Sequence, residues 1–226
     1  MDNYAEQLIV FLKGKADLEE KQAMEQYMRN QFVFLGLRSS VRREVYREFV
    51  AEHGKVQDSV GVARILYEQP EREFRYIALD ILTKDVKKQP REVIDFYEQL
   101  VVADSWWDTV DLLASTLVGG HFEKYPELIP EYIAKWINGE NIWLARTAIL
   151  FQLKYKENTD AGLLFTNCEK WLDSKEFFIQ KAIGWALRQY AKFNADAVLE
   201  FVEAYDLAPL SRREALKHFK KKERSE

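Results

Sequence analysis

The sequence predicts an all-α chain, and three observations lead there. Apolar residues recur with a period near 3.6 along most of its length, and the sustained period-2 alternation of half-buried strands is missing. Proline and glycine are scarce, five and nine in 226 residues, and most of them punctuate the periodic stretches. Those stretches open on Ser, Asn, Asp or Pro, the residues that suit a helix N-terminus.

In order, helices are predicted to begin after Asn3 and at Asp17, Ser40, Asp58 and Pro70. Further helices begin at Pro90, Ser105, Pro126, Asn141, Asp160, Ser174, Asn194 and Ser211. A Ser, Asn or Asp oxygen accepts from an orphaned first-turn N–H, and proline fits there because its missing N–H would have no partner anyway. Gly14, Gly54 and Gly139 fall where helices should stop.

Related segments then recur: FRYIALDILTK (74–84), WWDTVDLLAST (106–116), IWLARTAILFQL (142–153) and IGWALRQYAK (183–192). They start 32, 36 and 41 residues apart, each on the second helix of a hairpin, which is close to the period of two-helix repeats of the HEAT kind. The expectation is a HEAT-like solenoid, an α-α superhelix whose alternate helices line a concave wall. No low-complexity linker interrupts the chain, so residues 1–226 are expected to form a single helical-repeat domain.

Composition narrows the function classes. Hydrophobic residues make up 47% and aromatics 14%, enough for a substantial core, and the 31% charged fraction gives most helices a wet face. No run of about 20 uncharged apolar residues offers a membrane span. The acidic start MDNYAEQLIVFLKGK is unlike a secretory leader. A lone cysteine, Cys168, reads as a small buried thiol and suits a reducing cytoplasm. His53, His121 and His218 are far apart and read as surface residues, and no metal-ligand spacing or phosphate-binding glycine loop is present. Net charge is −4, but residues 211–226 alone carry +4 and the remainder −8, so any contact with a polyanion needs a local basic stripe.

Three helices carry charges that local context does not explain. In SWWDTVD (105–111), Ser105 reads as an N-cap and Asp108 as its capping-box partner, whereas Asp111 has no such task. Asp111 lies four residues after Trp107, so a carboxylate and an indole share one face; the alternative is a core Trp beside an Asp paired with a neighbouring helix's Arg. Arg146 is the one charge between Ile142 and Leu153, and it either clamps a carboxylate internally or offers its fork to a ligand anion. Lys181, Trp185, Arg188 and Lys192 form one helical stripe, suited to holding a phosphate backbone or else a solvated basic face.

SWWDTVD (105–111), NIWLARTAILFQLKYK (141–156), FFIQKAIGWALRQYAK (177–192) and MEQYMRNQFVFLG (24–36) resemble the signature segments of the AlkD-type DNA alkylation repair family. The likeness spans nearly the whole chain. It implies a solenoid with a cationic concave groove that hydrolyses the N-glycosidic bond of N3- and N7-alkylated purines in double-stranded DNA. It maps an aromatic and acidic cluster onto Trp107, Asp111 and Trp185, groove arginines onto Arg146 and Arg188, and an N-terminal aromatic onto Tyr27. It also implies a grip on the lesion's backbone with the base left outside. Lys181, Lys192 and Lys154 join the candidate DNA-binding residues. Such an enzyme is expected to use no cofactor or metal, to lack a lyase step, and to act as a monomer in a bacterial-type cytoplasm, on the nucleoid when DNA-bound. The competing class is a non-catalytic helical-repeat module binding DNA or a protein through the same face, with Asp111 as the residue that separates the two.

Overall fold

The computed structural model describes residues 2–217 and Phe219; the basic tail residues Lys220, Lys221, Lys222 and Arg224, together with His218, lie outside the described residues. The regular structure of the described residues is helical, with β pairing limited to an isolated bridge between Val33 and Glu71. Two compact units make up the fold, Met1–Lys88 and Gln89–Glu226.

The first unit contains α1 (Asp2–Lys13), α2 (Leu18–Tyr27), α3 (Ser39–His53), α4 (Ser59–Tyr67) and α5 (Arg72–Asp85). Leu8, Leu12, Phe49, Leu66 and Phe74 are fully buried and form its core. The Glu73 carboxylate accepts the Leu35, Gly36 and Leu37 amides at 2.9, 2.9 and 3.0 Å. It thereby satisfies donors of a connecting segment that has no helix to do so. Gly36 sits at φ +92°, and a Cβ there would approach the Asp17 carbonyl oxygen to 1.9 Å. Asp17 caps α2, accepting from the Glu19 and Glu20 amides.

The second unit contains α6 (Val93–Val102), α7 (Trp107–Leu112), α8 (Gly119–Lys124), α9 (Ile129–Asn138) and α10 (Ile142–Leu150). It continues through α11 (Ala161–Glu169), α12 (Phe177–Tyr190), α13 (Ala195–Ala204) and α14 (Pro209–Ala215). Between α7 and α8 the chain does not leave the helix; Leu113–Val118 is a π-helical stretch that joins them. Helix α10 packs on α6, α9 and α12, and α14 packs on α12.

Hydrogen bonds show how the repeats stack. Tyr132 donates to Asp95 and Lys135 to Glu98, both 37 residues back. Tyr155 donates to the Gly119 carbonyl and Tyr205 to Glu169, both 36 residues back, while Trp171 reaches the Ile137 carbonyl 34 back. A bond offset close to the repeat length is what nearest-neighbour stacking demands, because each hairpin meets the same face of the one before it. The helical-repeat fold expected from the recurring segments is therefore the fold observed.

Asp58, Asn141, Asp160 and Asn194 cap helices through their side chains as expected. Ser105 does not. Its hydroxyl donates back to the Val101 carbonyl at 2.6 Å, and α7 starts two residues later behind an extended Trp106. The capping box inferred for Ser105 and Asp108 is thus not formed, and Asp108 sits in the first turn, where the helix dipole favours an acid. His121 also departs from expectation: it is fully buried, donates to the Arg91 carbonyl at 3.0 Å and lies edge-on to Tyr97. Burial depresses its pKa, so the ring is held neutral inside the stack. Cys168 is buried, and its thiol is pushed up beyond the range in which it could ionise.

Candidate functional site

Four elements of the second unit converge on one cleft. Helix α7 contributes Trp107 and Asp111, α10 contributes Arg146, α12 contributes Phe178, Lys181, Trp185 and Arg188, and α14 contributes Glu214. The cleft has a volume of about 310 Å³. A second cleft of about 360 Å³ shares Trp107, Asp111 and Trp185 with it and continues past Asp108 and Thr116 to Lys154. The two indoles and Asp111 thus form a wall between the two recesses.

Asp111 is fixed from α10. Arg146 Nε donates to Oδ1 at 2.8 Å and Nη2 to Oδ2 at 3.0 Å, while Nη1 donates to the Phe178 carbonyl. This planar two-bond pairing sets both the position and the rotation of the carboxylate. The arginine side chain is 5% exposed and that of Asp111 is 18% exposed, so the acid faces the cleft and the base lies behind it. Burial raises the Asp111 pKa above its ordinary value, and the bonds and charge of Arg146 oppose that rise. Of the two readings left open for Arg146, the internal clamp is the one observed. The fork expected to anchor a phosphate is here engaged with Asp111 and the Phe178 carbonyl, on a side chain that is 5% exposed.

The Phe178 carbonyl that Arg146 uses is held by aromatic packing. The Phe178 ring lies 4.9 Å from both Trp106 and Trp143, which are themselves 5.9 Å apart. The π-helical stretch begins right after α7, and Ser115 donates to the Asp111 carbonyl at 2.7 Å. This is a bond from a serine hydroxyl to the carbonyl four residues back, and it ties the start of the widened turn to the residue that carries the acid.

Lys181, Trp185 and Arg188 come together on the cleft as their spacing requires, but Lys192 does not. It is exposed at the end of α12 and bonds to Gln189 at 2.6 Å. Lys154 is exposed and donates to Thr116 at 2.6 Å on the second cleft. Tyr27 belongs to the first unit, 73% exposed at the end of α2, a helix that buries none of its residues.

Sequence reasoning missed Glu214. Lys181 and Lys217 donate to its Oε1 at 3.0 and 2.5 Å, and Arg188 donates to its Oε2 at 2.8 Å. Burial alone would raise this carboxyl; bonds from Lys217 and Lys181, and their charges, pull it down to about 2. The local signal was the lone acid of SRREALK, in a segment otherwise basic, but two of its three partners lie 26 and 33 residues away. Among the described residues no group of acids, histidines and cysteines is arranged to hold a metal ion. No helix among them is long and apolar enough to cross a membrane.

The helical-repeat scaffold thus brings an acid, two indoles and a cationic rim onto one cleft, and the comparisons place the chain among DNA repair enzymes. The family model described as DNA alkylation repair enzyme matches residues 10–219, and the chain belongs to that family. A solved structure titled "Predicted DNA alkylation repair enzyme from Enterococcus faecalis" is similar over 90% of this chain and 96% of its own, with 32% identity and a TM-score of 0.81. No curated protein matches the chain.

Proposed function

We propose that the protein is a monofunctional glycosylase that hydrolyses the N-glycosidic bond of cationic N3- and N7-alkylated purines in double-stranded DNA. The observation that carries this reading is Asp111: a desolvated carboxylate, rotationally fixed by Arg146, that still lines the cleft between two indoles. An acid on a DNA-facing surface repels phosphate, and it is tolerable there if it acts on positive charge that develops during reaction.

Alkylation at N7 or N3 leaves the purine positively charged, so the base departs with the C1′–N bond electrons and becomes neutral without a general acid. The sugar acquires oxocarbenium character as it does so. Asp111 stabilises that charge and accepts a hydrogen bond from the water whose oxygen attacks C1′. Its raised pKa makes it the better acceptor for the proton that water sheds. Trp107 and Trp185 pack on the deoxyribose and favour its cationic form through their faces. Lys181 and Arg188 hold phosphate; Lys181, already bonded to Glu214, serves as a cation and not as a Schiff-base nucleophile. The protein works as a cytoplasmic monomer on nucleoid DNA.

The second reading, a binding module without chemistry, has its own support in the Arg146 pair, which gives Asp111 a structural task. Single-turnover release of N7-methylguanine from a duplex separates the two. Release by the wild-type protein, lost in Asp111→Asn while the fold is kept, establishes the enzyme; no release from any alkylated duplex leaves the module.

A further inference from the structure

Glu214 lines the cleft, yet the chemistry above does not use it. Its side chain is 5% exposed, whereas those of the three cations bonded to it, Lys181, Arg188 and Lys217, are 37%, 29% and 48% exposed. The carboxylate therefore lies behind the cations and does not occupy the seat of an incoming anion. The four groups together keep a surplus of positive charge toward the solvent.

The backbone is arranged to bring this acid in. Lys181, Gly184 and Arg188 share one face of α12, at steps of three and four residues. A Cβ on Gly184 would stand 2.5 Å from the Glu214 Cβ and 2.7 Å from the Ser211 carbonyl oxygen, so α14 crosses α12 where the helix has no side chain, between the two cations. The Ser211 hydroxyl donates to the Gln180 carbonyl at 2.9 Å and pins that crossing. Long cationic side chains lose rotamer freedom when they grip a ligand, and a fixed acid behind them removes that loss in advance.

We propose that Glu214 is a positioning residue that holds Lys181 and Arg188 as a preformed pair for the oxygens of one DNA phosphate beside the Trp107–Trp185 wall. An ammonium carries three N–H groups and a guanidinium five, so each cation can bond Glu214 and a phosphate together. The inference rests on the cleft being a DNA surface, as in the function proposed above, but not on base release.

The test turns on the sign of one effect. Coulomb's law alone makes Glu214→Gln a tighter DNA binder, since the cleft gains a unit of positive charge. Prepositioning requires the reverse. Fluorescence anisotropy with an undamaged duplex, for wild type, Glu214→Gln, Glu214→Asp, Arg188→Ala and the Glu214→Gln/Arg188→Ala double variant, measures it. Glu214→Gln should bind on the order of fivefold more weakly, and the effect should shrink below about twofold when Arg188 is absent. Glu214→Asp keeps the charge but withdraws it by one methylene, and it too should weaken binding; it carries the test if Glu214→Gln fails to fold. Wild-type or tighter binding by folded Glu214→Gln or Glu214→Asp overturns the positioning role, as does a full-size effect in the Arg188→Ala background. If Arg188→Ala itself binds as wild type does, the cleft is not the DNA surface, and the proposed function falls with this inference.

Discussion

Arg146 and Asp111 meet across α7 and α10 through two parallel bonds, with the guanidinium buried and the carboxylate facing the cleft. The pair works in one direction: the base is consumed in presenting the acid. Replacing Arg146 by Met leaves a largely buried carboxylate without its partner, which should destabilise the protein by about 3 kcal/mol. The same change frees the carboxylate to rotate, so base release should fall even well below the melting temperature. Thermal melts with single-turnover rates at low temperature check both; an unchanged melting temperature would show that the pair carries no stability.

Asp111→Asn keeps shape and removes charge. Release of N7-methylguanine should drop on the order of a hundredfold, about 2.7 kcal/mol of transition-state stabilisation. Duplex affinity should hold or rise, because a negative charge near phosphate is gone. Wild-type turnover in this variant would make Asp111 a structural acid and bring the binding-module reading forward.

Substrate choice should follow charge. With no strong general acid in the cleft, uracil and hypoxanthine should leave at least about a hundredfold more slowly than N7-methylguanine or N3-methyladenine, the scale of the help a general acid would otherwise supply. Comparable rates on a neutral base would contradict the leaving-group argument.

Stability and activity should answer to pH through different acids. The Glu214 carboxyl titrates near 2 in the fold against an ordinary 4.5, so the folded state binds fewer protons in that window and stability falls as pH drops from about 4.5 toward 2. Glu214→Gln should flatten that part of the curve in denaturant titrations. Asp111 is shifted the other way, so the acid limb of the base-release rate should lie above the ordinary 3.8.

Gly119 offers a packing test away from the cleft. A Cβ there would lie 2.4 Å from the Phe151 carbonyl oxygen, a backbone atom that cannot swing aside. Gly119→Ala should cost about 1–3 kcal/mol by overpacking, read as a lower melting temperature.

The helical repeat was legible because its signals are local. Asp58, Asn141, Asp160 and Asn194 each reach an amide two or three residues ahead, and such spacings can be read along a sequence. The shared face of Lys181, Trp185 and Arg188 was legible for the same reason. What these residues face was not. Arg146 suited two readings because its partner lies 35 residues back, and Glu214 reaches Lys181 over 33, at distances set by the stacking of helices. Ser105 misled because an equally local alternative, the Val101 carbonyl, competed for its hydroxyl and won.

The π-helical stretch Leu113–Val118 has a consequence for reading related chains. A regular α-helix advances about 100° per residue. The wide turn here absorbs one residue more than an α turn, so the helices on either side keep nearly the same phase. Deleting one residue would restore ordinary turns and leave Trp107 and Asp111 on their present side relative to the buried Leu117, Val118 and Phe122. A second deletion has no bulge to draw on and would turn the wall of the cleft aside by about 100°. In a related chain, a one-residue gap between the aspartate and Gly119 therefore signals a lost bulge, and a two-residue gap a lost site even where all the matching letters remain.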